Sequence, residues 1–345
     1  MTLMEQEARE ASQRIRQQFA ENASRWQAVL AKLASHPVTH AMTIARGSSD
    51  HAAMFAKYLF EVQLGLVTAS AAPSVVSVYH ADLSLRQTLV VGLSQSGQSP
   101  DIVAMMQQAR AAGAVTVALV NQEDSPLAEA AEFVIPLYAG EERAVAATKS
   151  YLCTLAALAQ FVSLYQQDAA LEQALTQLPA ALHAATMCDW SAAHKIFLPS
   201  QDAFMVGRGY GFAIALEAAL KGKETAGIHA EAFSSAEVLH GPFALVKKDF
   251  PVMVFAQPDA TWQGTLSLAQ RMQDMGVKVV LAAPADQSVP EALRAMLVPV
   301  PNSVHPVLDP LVQVQAFYIW MAQLSVARGF NPDQPVNLNK VTETQ

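Results

Sequence analysis

The chain carries one long pattern twice. The segment "HAMTIARGSSDHAAMFAKYLFE", starting at His40, runs as a β-branched apolar stretch, an Arg-Gly turn and an amphipathic helix. "DAFMVGRGYGFAIALEAALKGKE" (202–224) repeats it in the same register: strand, Arg-Gly, two residues, helix. The match continues downstream. "FPVMVFAQPDATWQGTLSLAQRMQDMGVKVVLA" follows "QTLVVGLSQSGQSPDIVAMMQQARAAGAVTVAL", "MLVPVP" follows "FVIPL", and "PVLDPLVQVQAFYIWMAQLSVARG" follows "TKSYLCTLAALAQFVSLYQQ". Self-similarity at such a period means one structural unit used twice. The two copies join near residues 166–190.

Each copy alternates short β-branched runs with helical patterns. In the first, "HAMTIARG", "SVVSVYHA", "TLVVGLS", "AVTVALV" and "FVIPL" read as strands. "SSDHAAMFAKYLFEVQLG", "SPDIVAMMQQARAAG" closed by Gly113, "PLAEAA" and "TKSYLCTLAALAQFVSLYQQ" read as helices. That alternation predicts the α/β class, a parallel sheet flanked by helices. A length of 345 residues fits two domains of ordinary size, and 52% hydrophobic residues supply two cores. A net charge of −8 argues against a nucleic-acid surface. Cys153 and Cys188 stand far apart, which fits a reducing compartment rather than a disulfide scaffold. The first residues are too charged for a signal peptide, and "YLCTLAALAQFVSLY" is too short to span a bilayer. A soluble, cytoplasmic protein with no membrane partner is the expectation.

"VVGLSQSGQSPD" (90–101) sets Ser94, Gln95, Ser96, Gly97, Gln98 and Ser99 between a buried strand and a helix that starts at Pro100. Open α/β sheets bind ligands at the carboxyl ends of their strands. Free N–H groups and the helix dipole favour an anion there, and serine hydroxyls add donors. Gly97 permits a tight backbone approach. Ser94, Gln95, Ser96 and Ser99 are therefore phosphate-binding candidates, with Ser48 and Ser49 of the preceding "RGSSD" turn beside them. The plainer alternative makes Ser99 a helix N-cap and the rest a polar turn. The second copy has Ala256-Gln257-Pro258 at this place, so only the first keeps the loop.

"IALEAALKGKETAGIHAEAFSSAEVLHGP" (214–242) holds the acid–base residues. On a helix, Glu217, Lys221 and Glu224 share one face. Such spacing ordinarily means an exposed salt-bridged stripe. The small neighbours Ala218, Ala219, Gly222 and Ala226 suit close packing instead. His229 and His240 follow, the latter in a stiff "HGP" turn. No His/Cys/Asp cluster has metal-ligand spacing, so no metal and no cofactor are expected.

Six blocks in order, "ARGSSD", "LSQSGQSPD", "EERAVAATKSY", "ALEAALKGKETAGIHAEAF", "EVLHGP" and "DQPVNLNK", resemble the double-SIS (sugar isomerase) family. In particular they resemble the isomerase half of glucosamine-6-phosphate synthase, from about residue 25 onward. The resemblance implies two flavodoxin-like SIS domains: 27–166 with the phosphate loop and 190–328 with the acid–base residues. A helical segment, 1–26, precedes them, and a tail, 329–345, closes the site. It implies that Glu224 shuttles a proton between C1 and C2 of the sugar. His240 would open the ring, with Lys221 beside them and Lys340 touching the sugar. Glu142 and Val145 match positions that hold the sugar's hydroxyl-bearing end. Ala144 and Ala147 depart from the synthase, which has glycine and serine there.

The chemistry suits these residue types. Aldose–ketose isomerisation opens the ring and then moves one proton between adjacent carbons, which one partly desolvated carboxylate can do. No Cys precedes Cys153, so the synthase's glutamine-hydrolysing domain is expected to be absent. The expected activity is then that of the SIS-type glucosamine-6-phosphate deaminases, giving fructose 6-phosphate and ammonia. Alternatives are a fructosamine-6-phosphate deaminase, another phosphosugar isomerase, or a non-catalytic sugar-phosphate sensor. The N-terminal segment "EQEAREASQRIRQQFAENASRWQAVLAKL" is amphipathic and has no evident place in either unit. It is expected to pack on a partner in a homodimer whose sites are shared, with His240 lent by the neighbouring subunit.

Overall fold

The computed structural model describes residues 1–340, so 341–345 of the expected tail lie outside the described residues. Two compact units are present, each built on one five-stranded, wholly parallel sheet.

The first unit takes residues 13–142, 149–173 and 339–340. It contains most of α1 (Leu3–Ser35), then β1 (His40–Ile44), α2 (Ser48–Leu59), β2 (Val67–Ser70), α3 (Ser74–Ser77) and β3 (Thr88–Ser94). It continues with α4 (Pro100–Ala111), β4 (Val115–Val120), α5 (Pro126–Ala130), β5 (Phe133–Pro136), α6 (Lys149–Gln166) and the start of α7 (Ala169–Ala185). The strand order is β2-β1-β3-β4-β5. β3 and β4 are buried at every position, as central parallel strands must be. One face of the sheet presents Met42, Ile44, Val90 and Val120 to Ile102, Met106 and Leu127. α6 buries Tyr151–Ala159 without a break, which is why its sequence reads as apolar all round.

Three expectations are corrected here. "SVVSVYHA" is not a strand. Pro73, at φ −56°, leads into the single helical turn of α3, and the edge strand is the earlier "VTAS" of β2. The N-terminal helix runs to Ser35 rather than stopping near residue 26. Its apolar face is also not left for a partner: Ile15, Trp26 and Val29 are buried within the chain. Gln18 Nε2 donates to the carbonyls of Leu137 and Cys153, Asn22 Nδ2 to that of Pro136, and Trp26 Nε1 to Gln160 Oε1. These bonds give the helix its place beside β5 and α6.

The second unit takes residues 1–12, 143–148 and 174–338. It contains α8 (Ser191–Phe197), β6 (Asp202–Gly207), α9 (Tyr210–Ala226), β7 (His229–Ser234), β8 (Pro251–Phe255) and α10 (Trp262–Asp274). β9 (Lys278–Pro284), α11 (Glu291–Arg294), β10 (Leu297–Val300) and α12 (Asp309–Ala327) complete it. The order β10-β9-β8-β6-β7 repeats that of the first sheet strand for strand. Both sheets therefore have the flavodoxin-like order, whose direction reverses between the first and third strands.

At that reversal the two units differ. In the second, the Gln257 amide is buried, donates from Nε2 to Gln313 Oε1 at 2.5 Å, and fills the space above Gly211. A Cβ on Gly211 would lie 2.2 Å from Gln257 Oε1. In the second copy, Gln257, bonded to Gln313, thus occupies the space beside Gly211. Among the described residues, no helix is long and apolar enough to cross a membrane.

Candidate functional site

In the first unit, Ser94 ends β3 and Ser48 and Ser49 open α2 just after β1. These strands pair with Ile44 opposite Gly92, so both turns stand at the carboxyl edge, across the reversal point. The loop shapes itself. Ser94 Oγ accepts from the Gly97 N–H at 2.9 Å, and Ser96 Oγ accepts from the Gln98 N–H at 3.3 Å. Gly97 sits at φ +66°, and a Cβ there would lie 2.2 Å from Ser125 Oγ. Its carbonyl accepts from the Leu127 N–H, pinning the loop to the start of α5. Glycine is required at this position on both grounds.

Ser99 is the N-cap residue of α4, but its side chain makes no capping bond. The plainer reading of Ser99 therefore holds for its position, while its hydroxyl makes no capping bond. Gln95 and Ser96 are half-buried at the rim. Sequence reasoning missed Arg46. Its Nε and Nη2 donate to Asp101 Oδ2 at 3.2 and 2.8 Å, and Asp101 is fully buried in the first turn of α4. A bare carboxylate under the loop would repel an anion, and this pairing offsets it. "ARGSSD" contains the arginine, but nothing in the sequence says that its partner lies 55 residues away.

Glu142 and Lys340 come together in the same unit. Glu142 is buried and accepts from the Ser150 N–H at 3.2 Å and from Ser150 Oγ at 2.6 Å. Lys340 Nζ reaches the same carboxylate at 3.4 Å. Glu142 is thus already engaged with the start of α6 and with the tail lysine.

Val145 belongs to the second unit, where its N–H donates to the Asp333 carbonyl at 3.0 Å. Asp333 also caps α1, accepting from the N–H groups of Leu3 and Met4 at 2.9 and 2.8 Å. Glu7 accepts from the N–H groups of Arg143 and Ala144, which fixes the start of the 143–148 segment. An acidic side chain accepting from free helix N–H groups is the favourable arrangement for that terminus.

The acid–base stripe lies on α9. Glu217 and Lys221 are completely buried, so this is not the exposed stripe that spacing alone suggests. Lys221 Nζ sits 3.2 Å from Glu217 Oε1 and 2.7 Å from Glu224 Oε2. Tyr318, on α12, donates its hydroxyl to Glu217 Oε1 at 3.0 Å. Burial pushes the Lys221 ammonium toward deprotonation, but the Glu217 and Glu224 carboxylates outweigh it and hold its pKa above the usual lysine range. Lys221 is therefore a fixed cation. Glu224 keeps 19% of its side chain exposed and is the open member of the cluster. Tyr318 carried no sequence signal, since α12 reads as uniformly apolar.

His240 is exposed, in the turn between two 3₁₀ segments, Glu237–Leu239 and Pro242–Leu245. Gly241 takes φ +138° there. No hydrogen bond joins His240 to Glu224 among the described residues. His229 is a surface residue at the start of β7, with Nδ1 3.3 Å from Asp202 Oδ1. Among the described residues there is no group of three or more His, Cys, Asp or Glu that could hold a metal ion.

The family model described as "SIS domain" matches residues 36–164 and again 196–304. The chain belongs to the SIS domain family. The two SIS matches fall on the two parallel sheets, one on each. Among curated relatives, the glutamine–fructose-6-phosphate aminotransferase (isomerizing) of Zymomonas mobilis is 31% identical over 312 residues, covering 86% of this chain and 51% of that protein. The enzyme of the same name from Gloeobacter violaceus is 33% identical over 311 residues, covering 86% and 50%. The chain spans about half the length of the curated relatives it matches. Among solved structures, a Silicibacter pomeroyi protein assigned provisionally as a phosphosugar isomerase has a TM-score of 0.90 at 38% identity, covering 96% of this chain and all of that one. The C-terminal domain of glucosamine-fructose-6-phosphate aminotransferase from Francisella tularensis has a TM-score of 0.85 at 24% identity, covering 97% and 98%, and shares the fold.

Proposed function

We propose that this SIS protein is an isomerising deaminase of glucosamine 6-phosphate, releasing fructose 6-phosphate and ammonia. The observation that carries the reading is the Glu217–Lys221–Glu224 cluster: a buried lysine, its pKa raised by two carboxylates, holding one open carboxylate. The relatives' names join an amino transfer on fructose 6-phosphate to an isomerisation. Run backward from glucosamine 6-phosphate, that isomerisation gives the C2 ketimine of fructose 6-phosphate, and hydrolysis of the ketimine releases ammonia.

In this reading the phosphate lies on Ser94, Ser96 and Ser99, with Ser48, Ser49 and Gln95 around it. His240 assists ring opening. Glu224 removes the C2 proton of the open-chain sugar and returns it to C1, leaving a C2 ketimine. Water adds to C2 and ammonia departs. Lys221 does not exchange protons; it fixes the direction of the carboxylate. Glu142, Val145 and Lys340 serve the hydroxyl-bearing end of the sugar. The domain bounds of this reading are 27–166 and 190–328, with the described part of the tail, 329–340, closing the site.

The test is an assay of both products. Purified protein given glucosamine 6-phosphate should yield ammonia and fructose 6-phosphate in equal amounts. Turnover of fructosamine 6-phosphate alone would move the assignment to that substrate, and binding without any turnover would make the chain a sensor. Ser96→Ala removes one charge-assisted hydrogen bond worth roughly 1.5–3 kcal/mol. It should raise KM about tenfold or more with kcat little changed. An unchanged KM would place the phosphate elsewhere.

The proposal extends to a homodimer in which His240 serves the neighbouring subunit's site. Glu224→Gln and His240→Ala proteins, each inactive, should regain activity when their subunits are exchanged. Heterodimers that form and stay inactive would put both residues in one subunit's site.

A further inference from the structure

The second unit holds a cleft of about 740 Å³ at the edge of its sheet opposite the carboxyl ends of the strands. Its wall includes Asp202, His229, Pro251 and Lys278, the first residues of β6, β7, β8 and β9. A space of this size suits a small organic ligand. It contains none of the residues assigned above to the sugar phosphate.

The charge in the cleft runs against that of the chain. Lys195, Lys247, Lys248 and Lys278 all line it, in a protein of net charge −8. Lys278 is paired with Asp249 at 3.2 Å, and Asp202 faces His229 at 3.3 Å. Glu231 is the remaining carboxylate in the wall. The side-chain ammonium groups of Lys195, Lys247 and Lys248 have no ion-pair or hydrogen-bond partner among the described residues. The carboxyl ends of α9 and α10 lie shortly before β7 and β9 in the chain, so helix dipoles on this edge disfavour an anion. Any attraction must come from the lysines, and three of them are uncommitted.

The same cleft also carries apolar side chains. Phe250 packs edge-on against Phe204, with ring centroids 4.9 Å apart. Leu245 lines the cleft with 61% of its surface exposed, a high value for a large apolar side chain. Ile196 and Pro199 also line the cleft. Ammonium groups and exposed apolar side chains lining one cleft match a ligand with an anionic end and a flat apolar end.

We propose that this cleft binds a small organic phosphate carrying a planar apolar group, of the nucleoside diphosphate kind. The phosphates would meet Lys195, Lys247 and Lys248, and the ring would lie on Leu245 and Phe250.

ADP is the probe, with inorganic pyrophosphate as the comparison, and calorimetric titration of the full chain is the measurement. Wild-type protein should bind ADP saturably, about tenfold or more tighter than pyrophosphate. The double variant Lys247→Ala/Lys248→Ala should weaken ADP about tenfold or more, since each lysine supplies a charge-assisted contact. Ser96→Ala should leave ADP binding unchanged, which separates this cleft from the serine loop. Absence of saturable ADP binding, equal affinity for pyrophosphate, or insensitivity to the double variant would each overturn the proposal. So would loss of binding in Ser96→Ala, which would assign the probe to the serine loop. A circular-dichroism melt of the double variant should match wild type, because both lysines are exposed and unpaired.

Discussion

Glu224→Gln is expected to lower kcat by about 10²–10⁴-fold, the range that a positioned general base contributes. The substitution keeps the shape and removes the proton acceptor. KM should move little, because Glu224 is not among the groups assigned to the phosphate. The expected split of low kcat with retained KM marks an interaction used in the chemical step rather than in binding. A tenfold rise in KM at unchanged kcat would make Glu224 a binding residue. The measurement is steady-state ammonia release, with a thermal melt to show that the variant folds. In Glu224→Gln the new amide oxygen can still accept from Lys221, so the stability change should be small.

Lys221→Met is expected to be the most destabilising single change in the candidate site. Lys221 and Glu217 are both fully buried, and the substitution strands the Glu217 carboxylate without its cation. Breaking a buried pair from one side costs about 3–5 kcal/mol. For a unit of this size that corresponds to a fall in Tm of about 6–20 °C. Adding Glu217→Gln removes the stranded charge while leaving an acceptor for the Tyr318 hydroxyl. The double variant should therefore melt well above the single one. A double variant no more stable than Lys221→Met would mean that the loss came from packing and not from charge.

The same pair makes a statement about pH. The folded-state pKa of Lys221 lies above its unfolded value of about 10.4. A raised lysine pKa stabilises fully below the unfolded value and loses that contribution as pH climbs through the folded one. The stability gap between wild type and Lys221→Met should stay constant from neutral pH to about 10 and narrow only above it.

The sequence made the interior of each sheet legible because central parallel strands are buried on both faces. "TLVVGLS" and "AVTVALV" contain nothing that could be read otherwise. Edge strands were a different matter. β2 is exposed at three of its four positions and β7 begins at an exposed histidine, so neither shows an apolar run. "SVVSV" shows one, yet Pro73 starts a helical turn there instead. Branched residues report packing more than backbone preference, and at the rim of a sheet the packing is partial.

The candidate site divides along the same line. The serine loop is contiguous, so its residue types and its place after a strand could be read together. The Glu217–Lys221–Glu224 stripe is local as well, but its burial was not visible in the spacing. What turns it into a buried cluster is Tyr318, 101 residues away. Arg46 and Asp101 repeat the lesson across 55 residues. Pairs fixed by tertiary packing leave no mark in a single sequence. The difference in the second copy was half visible: the loss of serines at Ala256-Gln257-Pro258 was plain, but the filling of the space beside Gly211 by Gln257, bonded to Gln313, was not.

The most direct test follows a deuterium placed on C2 of glucosamine 6-phosphate. Wild-type protein in ordinary water should release one ammonia per sugar and form fructose 6-phosphate with part of that deuterium on C1, seen by NMR. Glu224→Gln should neither remove the C2 deuterium nor deliver it to C1 at a comparable rate. Ammonia released with deuterium still on C2, or transfer at the wild-type rate in Glu224→Gln, would contradict the account.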